Sequence, residues 1–434
     1  MRDGGTSTRI VVIGGGKIGL PLACMFARHG AKVTVCDINP SLVDEINAGA
    51  DPHKEPQQDR YVKESVECGN LRASADTTAS VRDADAIVVI VPALLTSDRD
   101  IDYGNLLAAT AALAKGMKRG VIVSYETTLP IGGARAVLAP ALESGSGMRC
   151  GEDFHLVFSP ERVKSRRIFE RLLDTPKIVG GYNDAAAAAG EALYRDYLGA
   201  PVFNVGTLEA AEFVKLSGMI YRDVNIALAN ELAAYAETAG LDIWPLIHAT
   251  NTDGETNMLL PGIGVGGHCT PVYPHFLING AARLGIKQHF ASLARQINED
   301  QPKRTVGRLA AALGTLKDKR IHILGHAFRP QVAEDAMTLS YPLRDALESG
   351  GAKVTIEDPL FDATALARRG LCPGSMSDPH IEAIILNTAH PEYANPDFAA
   401  WRTRGIRAVV DGRNHWERAT AVNAGLLYIG IGVS

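Results

Sequence analysis

The residue best placed for covalent chemistry closes the stretch Pro261-Gly262-Ile263-Gly264-Val265-Gly266-Gly267-His268-Cys269. Four glycines within six residues, Gly264 and Gly266 among them, let backbone amides approach a bound group closely. Cys269 falls where a helix is expected to begin, and a helix N-terminus favours the thiolate, so it is a candidate nucleophile. The alternative is a small buried thiol, which is the plain reading of the other five cysteines, Cys24 and Cys36 above all. His268 reads as a loop-packing residue rather than a base. Further back, Glu212, Lys215, Met219 and Arg222 recur at spacings of 3, 4 and 3, the neighbours of one helical face. Phe213, Leu216 and Ile220 beside them are apolar, so Lys215 and Arg222 could serve an anionic ligand or an oxyanion. A surface salt bridge is the other reading of that pair.

A second glycine cluster has a different context. Gly14-Gly15-Gly16-Lys17-Ile18-Gly19 follows an apolar strand, opens a helical pattern and precedes a second strand that ends at Asp37. That is a dinucleotide fingerprint: Gly14 for the tight turn, Gly16 for the approach of a pyrophosphate, and Gly19 for close packing of helix on strand. Lys17 and Ile18 complete the loop. Asp37 would accept from the adenosine ribose and repel a 2′-phosphate, so NAD is expected over NADP. A glycine turn without a ligand is the alternative.

The elements that carry these residues follow from hydrophobic periodicity. Apolar runs at Arg9–Ile13, Lys32–Val35, Ala86–Val91, Val121–Ser124, Phe154–Phe158, Lys177–Val179 and Val202–Val205 alternate with helical patterns, as in a parallel α/β sheet. The proline-free stretch Thr207–Gly240 predicts one long helix, a domain connector and dimer core. Further helices are expected at Ile243–Thr250, Pro274–Leu284 and Ala291–Leu313. Strands return at Arg320–Leu324, Lys353–Ile356, Ala383–Leu386 and Ala408–Val410. The expected architecture is α/β, two Rossmann-like parallel-sheet domains joined by a central helical dimerisation domain, divided 1–206, 207–314 and 315–434. With 44 Lys and Arg against 49 Asp and Glu, no basic footprint points to nucleic acid. No apolar run reaches the ~18 residues of a membrane span, no cysteine spacing suits a metal, and reduced thiols in a cytoplasmic protein are expected.

Seven ordered segments, Gly14–Pro21, Thr127-Thr128-Leu129-Pro130, Ser159-Pro160-Glu161-Arg162-Val163, Tyr221–Ala233, Gly264–Cys269, Gly325–Pro330 and Asp411–Asn414, resemble the UDP-glucose/GDP-mannose dehydrogenase family. Within it the chain is most similar to the UDP-N-acetylhexosamine 6-dehydrogenase branch. The resemblance implies a primary alcohol oxidised twice with two NAD. Cys269 would trap the aldehyde and then carry a thioester, Lys215 would stabilise the oxyanion, and Glu161 would assist proton transfer or activate water. Thr128 would position the reacting groups beside the cofactor. Arg222, Gly264, Gly266, Arg413 and Arg329, the last at a family lysine position, would face the nucleotide-sugar substrate.

The departures lie on the substrate side. The family's asparagine four residues after Lys215 is Met219, its aspartate four residues after the cysteine is Tyr273, and one of its arginines is Ala336. Its His-Pro-Arg reads Asp253-Gly254-Glu255. Methionine donates no hydrogen bond, and losing one oxyanion donor costs ~10²–10³ in rate. A redirected or two-electron oxidoreductase on another nucleotide-linked alcohol, or a catalytically silent nucleotide-binding homologue, are therefore the alternatives to uronic acid formation.

Overall fold

A computed structural model describes residues 7–96, 98–163 and 166–434. The chain forms two compact units, one of residues 1–217 with 275–283 and the other of residues 218–274 with 284–434.

The first unit is built on an eight-stranded sheet. Its strands are β1 (Arg9–Ile13), β2 (Lys32–Cys36), β3 (Leu71–Ser74), β4 (Ala86–Val89), β7 (Ile122–Tyr125), β8 (His155–Phe158), β9 (Lys177–Gly181) and β10 (Val202–Thr207). The small antiparallel hairpin of β5 (Leu94–Leu95) and β6 (Ile101–Asp102) interrupts the series. Spatial order is β10-β9-β8-β7-β4-β1-β2-β3, whose last six strands reproduce the doubly wound dinucleotide order. The inner strands β1, β4, β7, β8 and β9 are buried on both faces, which is why they read as continuous apolar runs rather than alternating ones. Ile10 and Val12 pack into one layer and Val11 and Ile13 into the other.

One expectation fails here. β8 and β9 pair antiparallel, Phe158 opposite Gly180, so β9 and its parallel partner β10 run against the rest. A connector that carries the short helix Ile168–Asp174 turns the chain back at the end where β8 finishes. The reversal delivers Lys177, the first residue of β9, to the carboxyl edge of β7 and β8.

The long helix is observed as Leu208–Ala239, and Gly240 ends it with a φ of 73° that a side chain would resist. It continues from the first unit into the second. There, helices Ile243–Thr250 and His289–Leu313 adjoin a five-stranded parallel sheet of β11 (Arg320–Leu324), β12 (Lys353–Glu357), β13 (Ala383–Leu386), β14 (Ala408–Asp411) and β15 (Leu427–Gly430). Its order, β12-β11-β13-β14-β15, is the other common doubly wound arrangement. Apolar layers cover both faces, Ala383 and Ile385 on one and Ile384 and Leu386 on the other. Strands β3 and β15 escaped the sequence reading because Leu71–Ser74 and Leu427–Gly430 are short and mix polar with apolar residues. Among the described residues no helix is long and apolar enough to cross a membrane.

Candidate active site

In the first unit the glycine loop connects β1 to the helix Gly19–Arg28. Gly14 has a φ of 104°, and a side chain there would meet the Ile90 carbonyl oxygen at 2.9 Å. A Cβ on Gly19 would sit 1.9 Å from the Gly14 oxygen, so the helix can approach the loop only because that position is bare. Gly16 is exposed with open space beside it, as the approach of a pyrophosphate requires. Lys17 and Ile18 are half-buried in the turn that enters the helix. At the end of β2, the Asp37 carboxylate accepts from the Gly15 N–H at 2.8 Å and the Asn39 N–H at 3.0 Å. The Asp37 carboxylate is thus held against the glycine loop. These residues fit a dinucleotide.

Two further loops leave the carboxyl edge of the same sheet. Thr128, buried, lies in the loop after β7, and Glu161 in the loop after β8. Both are tied to the start of the long helix. Lys215, itself buried, donates its Nζ to the backbone carbonyl of Glu161, while the Glu161 carboxylate accepts the Val163 N–H of its own loop. Glu212 accepts from the N–H groups of Gly132 and Ala134 at 2.5 and 2.8 Å and so anchors the Thr128 loop. The expected common face therefore divides. Lys215 reaches the Glu161 loop, Glu212 is an anchor, and Arg222 is exposed.

Burial pushes the Glu212 carboxyl up to about 7, against the downward pull of the two N–H donors; Glu209 adds to the rise and Arg135 opposes it. A carboxyl raised on folding contributes stability that is complete below its unfolded value and lost as pH climbs through the folded one. Resistance to urea should accordingly fall between pH 5 and pH 8 in the parent protein. The fall should be shallower in Glu212→Gln, and an equal or steeper slope in the variant would refute this assignment.

Beneath these loops sits a charged cluster that the sequence reading missed. Glu126, the last residue before Thr127-Thr128, is wholly buried and accepts from Lys177 Nζ at 2.5 Å and from the Tyr194 hydroxyl at 2.7 Å. Ser124 shares the Tyr194 hydroxyl at 2.7 Å, and the Ser159 hydroxyl donates to the Ile178 carbonyl at 2.7 Å. The only signal in the sequence was an acid at the end of an apolar strand; its partner lies 51 residues away.

The second unit carries the cysteine loop. Gly262 N–H donates to Asn230 Oδ1 at 2.9 Å, Ile263 N–H to the Gly412 carbonyl at 3.1 Å, and Gly267 N–H to the Ala336 carbonyl at 2.9 Å. Asn230 is held by Asn298, which with Arg295 grips the buried Asp223 carboxylate at 2.6 to 2.8 Å. Glycine is required on steric grounds: a Cβ on Gly266 would meet the Met337 carbonyl at 2.9 Å and one on Gly267 the Phe328 ring at 3.0 Å. Gly264, at φ 143°, packs on Leu339.

Cys269 is not the first residue of a helix, as expected, but lies four residues ahead of the helix Tyr273–Arg283. Its carbonyl accepts from the N–H groups of Val272 and Tyr273 at 3.1 and 2.9 Å, closing the turn that leads in. The Thr270-Pro271 step after it favours a turn over an immediate helix. The thiol is half-buried. His268 is exposed, edge-on to Phe328 and 3.5 Å from Glu334, in agreement with a packing residue.

Arg413 joins this loop to the edge of the second sheet. Its Nε donates to the Asn387 carbonyl at 2.8 Å and its Nη1 to the Gly264 carbonyl at 3.4 Å, and burial lowers the guanidinium to about 10. In the loop after β11, Arg329 Nε is buried with no hydrogen-bond partner among the described residues. A buried donor left open in this way suits an anionic ligand. At two of the departures the structure shows what replaces the family side chain. Ala336 offers its backbone carbonyl to the glycine loop, and Asp253 accepts from the N–H groups of Glu255 and Thr256 in a closed turn.

Residues 8–198, 209–300 and 322–418 match, in turn, the NAD binding domain, central domain and UDP binding domain of the UDP-glucose/GDP-mannose dehydrogenase family. The chain belongs to that family and is an NAD-binding oxidoreductase of the nucleotide-sugar dehydrogenase type. It is 33% identical to a UDP-N-acetyl-D-mannosamine dehydrogenase of Pyrococcus horikoshii over 413 residues, 94% of this chain and 95% of the relative. To an NDP-N-acetyl-D-galactosaminuronic acid dehydrogenase of Ralstonia solanacearum it is 29% identical, over 94% and 96% of the two chains. The solved UDP-D-ManNAc dehydrogenase of P. horikoshii superposes with a TM-score of 0.87 at 31% identity, covering 98% of this chain and 99% of that one. A UDP-glucose dehydrogenase from Pyrobaculum islandicum gives 0.88 at 25% identity, with both chains fully covered.

Proposed function

We propose that the protein oxidises C6 of a UDP-N-acetylhexosamine or similar nucleotide sugar to a uronic acid through a covalent intermediate on Cys269. The observation that carries the reading is the glycine-rich loop ending in Cys269, held from both sides by hydrogen bonds in a chain with an intact dinucleotide loop. Bound NAD supplies a hydride acceptor for each of the two oxidations. The Cys269 thiolate adds to the aldehyde carbonyl, and loss of a second hydride leaves a thioester. Water then cleaves the thioester to a carboxylate and the free thiol. Lys215 stabilises the oxyanion of these tetrahedral states, Glu161 moves the proton to and from the attacking water, and Thr128 orients the reacting groups. Arg413, Arg329 and Arg222 serve the diphosphate and sugar, with the backbone of Gly264 and Gly266 lining the path. Division into 1–206, 207–314 and 315–434 assigns cofactor, connection and substrate to successive segments, and a cytoplasmic enzyme suits the free thiols.

The test is a screen of UDP- and GDP-linked hexoses and N-acetylhexosamines for reduced cofactor formation, with NAD and NADP in parallel. UDP-N-acetylmannosamine is expected to react, as it is the substrate in the name of the Pyrococcus relative. Asp37 should make NAD the better cofactor by 10-fold or more, on the order of one repelled charge at close range. Tighter use of NADP would contradict this, and no turnover with any of the sugars would favour the silent homologue.

Tyr221, Leu228, Leu232 and Tyr235 lie along one helix at spacings of 7, 4 and 3 and are 36 to 71% exposed. An apolar stripe of this kind calls for a partner, and a second copy of the same helix completes the reading as a homodimer. Light scattering at micromolar concentration should give twice the chain mass; a monomer would count against it.

A further inference from the structure

The segment between the second helix of the first unit and the next, Asp51 to Gln58, reaches the dinucleotide loop through His53. The ring of His53 lies with Nε2 2.8 Å from the carbonyl oxygen of Gly15. A carbonyl only accepts, so Nε2 carries the proton and donates. Gly15 is thereby held at both of its backbone groups, its N–H by the Asp37 carboxylate at 2.8 Å and its carbonyl by His53.

The consequence lies one atom further along the chain. The peptide between Gly15 and Gly16 is planar and trans, so the Gly16 N–H points opposite to the Gly15 carbonyl. Drawing that carbonyl towards residue 53 aims the Gly16 N–H to the other side. A donor fixed in this direction is preorganised for an anionic oxygen and loses little entropy on binding.

The segment is stiff enough for the task. Asp51 Oδ1 accepts from the His53 N–H at 2.8 Å and from Gln58 Nε2 at 2.7 Å, and Gln58 is fully buried. Two residues on, the buried Glu55 accepts from the Arg166 N–H at 2.6 Å, fastening the segment to the loop that also carries Glu161. Lys54 and Gln57 adopt positive φ, 54° and 70°, to make the tight path between these anchors.

We infer that His53 is a positioning residue for the cofactor diphosphate: through the Gly15 carbonyl it fixes the direction of the Gly16 N–H. The inference rests on the assignment of NAD to the Gly14–Gly19 loop. It is tested with the full chain by titrating NADH fluorescence and by competing ADP and adenosine against it. His53→Ala should weaken NADH and ADP about tenfold, the worth of one well-made hydrogen bond, and leave adenosine unchanged. His53→Gln, whose amide nitrogen can reach the same carbonyl, should bind within about threefold of the parent.

Gly16→Val separates the inference from the reading beneath it. If Gly16→Val loses NADH while His53→Ala keeps parental affinity, His53 positions nothing and the cofactor site stands. Equal loss of adenosine and ADP in His53→Ala also overturns the inference, since it marks general damage to the fold. Retention of NADH by Gly16→Val would overturn the cofactor assignment itself.

Discussion

Cys269→Ala is expected to lower acid formation by at least about 10³-fold while NADH binds as in the parent. The thioester requires a sulfur, and no neighbouring residue in Val265–Val272 can replace it. The dinucleotide loop is built from its own segment, Gly14–Gly19 with Asp37, and draws no hydrogen bond from the Cys269 side chain among the described residues. Alanine should also fold well, because the turn at this position is closed by the backbone carbonyl of residue 269 rather than by the thiol. Some aldehyde should still form, since the first hydride transfer needs no thiolate. In the parent each sugar should yield two NADH. Met219 and Tyr273 stand where the family has groups near the intermediate, so its formation or hydrolysis is expected to be slow. Undiminished acid from Cys269→Ala would sink the covalent mechanism. One NADH per sugar in the parent would instead establish the two-electron alternative.

The second large effect concerns stability. Lys177→Met should destabilise the first unit by about 3–5 kcal/mol, because it strands the Glu126 carboxylate in the interior. Both side chains are nearly or wholly buried, and Lys177 also lies 4.9 Å from the centre of the Tyr194 ring. Burial itself pushes the Glu126 carboxyl upward, with Glu161 adding to the rise, and the lysine pulls it down. Removing both charges relieves the penalty, so Glu126→Gln combined with Lys177→Met should recover most of the loss. Urea denaturation of the three variants measures this, and the double variant stays informative even if the single one fails to fold. A single variant within about 1 kcal/mol of the parent would show that the pair contributes little. Since Glu126 directly precedes Thr127-Thr128, kcat in the double variant then reports whether the pair also orients that loop.

Most of the elements and the cofactor were legible in the sequence alone. Strands buried on two faces write themselves as unbroken apolar runs, and a long proline-free stretch writes itself as a helix. Observed bounds such as Leu208–Ala239 and Arg320–Leu324 accordingly lie within a residue of those expected. Gly14, Gly16, Gly19 and Asp37 were legible for a similar reason: a dinucleotide loop is made by backbone geometry over a few consecutive residues, and glycine is its visible mark. Tertiary structure alone decided whatever depends on distant partners. The reversal of β9, the burial of Glu126 against Lys177, the turning of Glu212 onto Gly132 and Ala134, and the grip of Asn230 on Gly262 join residues 22 to 80 positions apart. Helical spacing placed Glu212 with Lys215 and Arg222, yet spacing says only which way a side chain leaves the helix. What it meets there is set by packing, and a buried carboxylate goes where backbone N–H groups lack a partner.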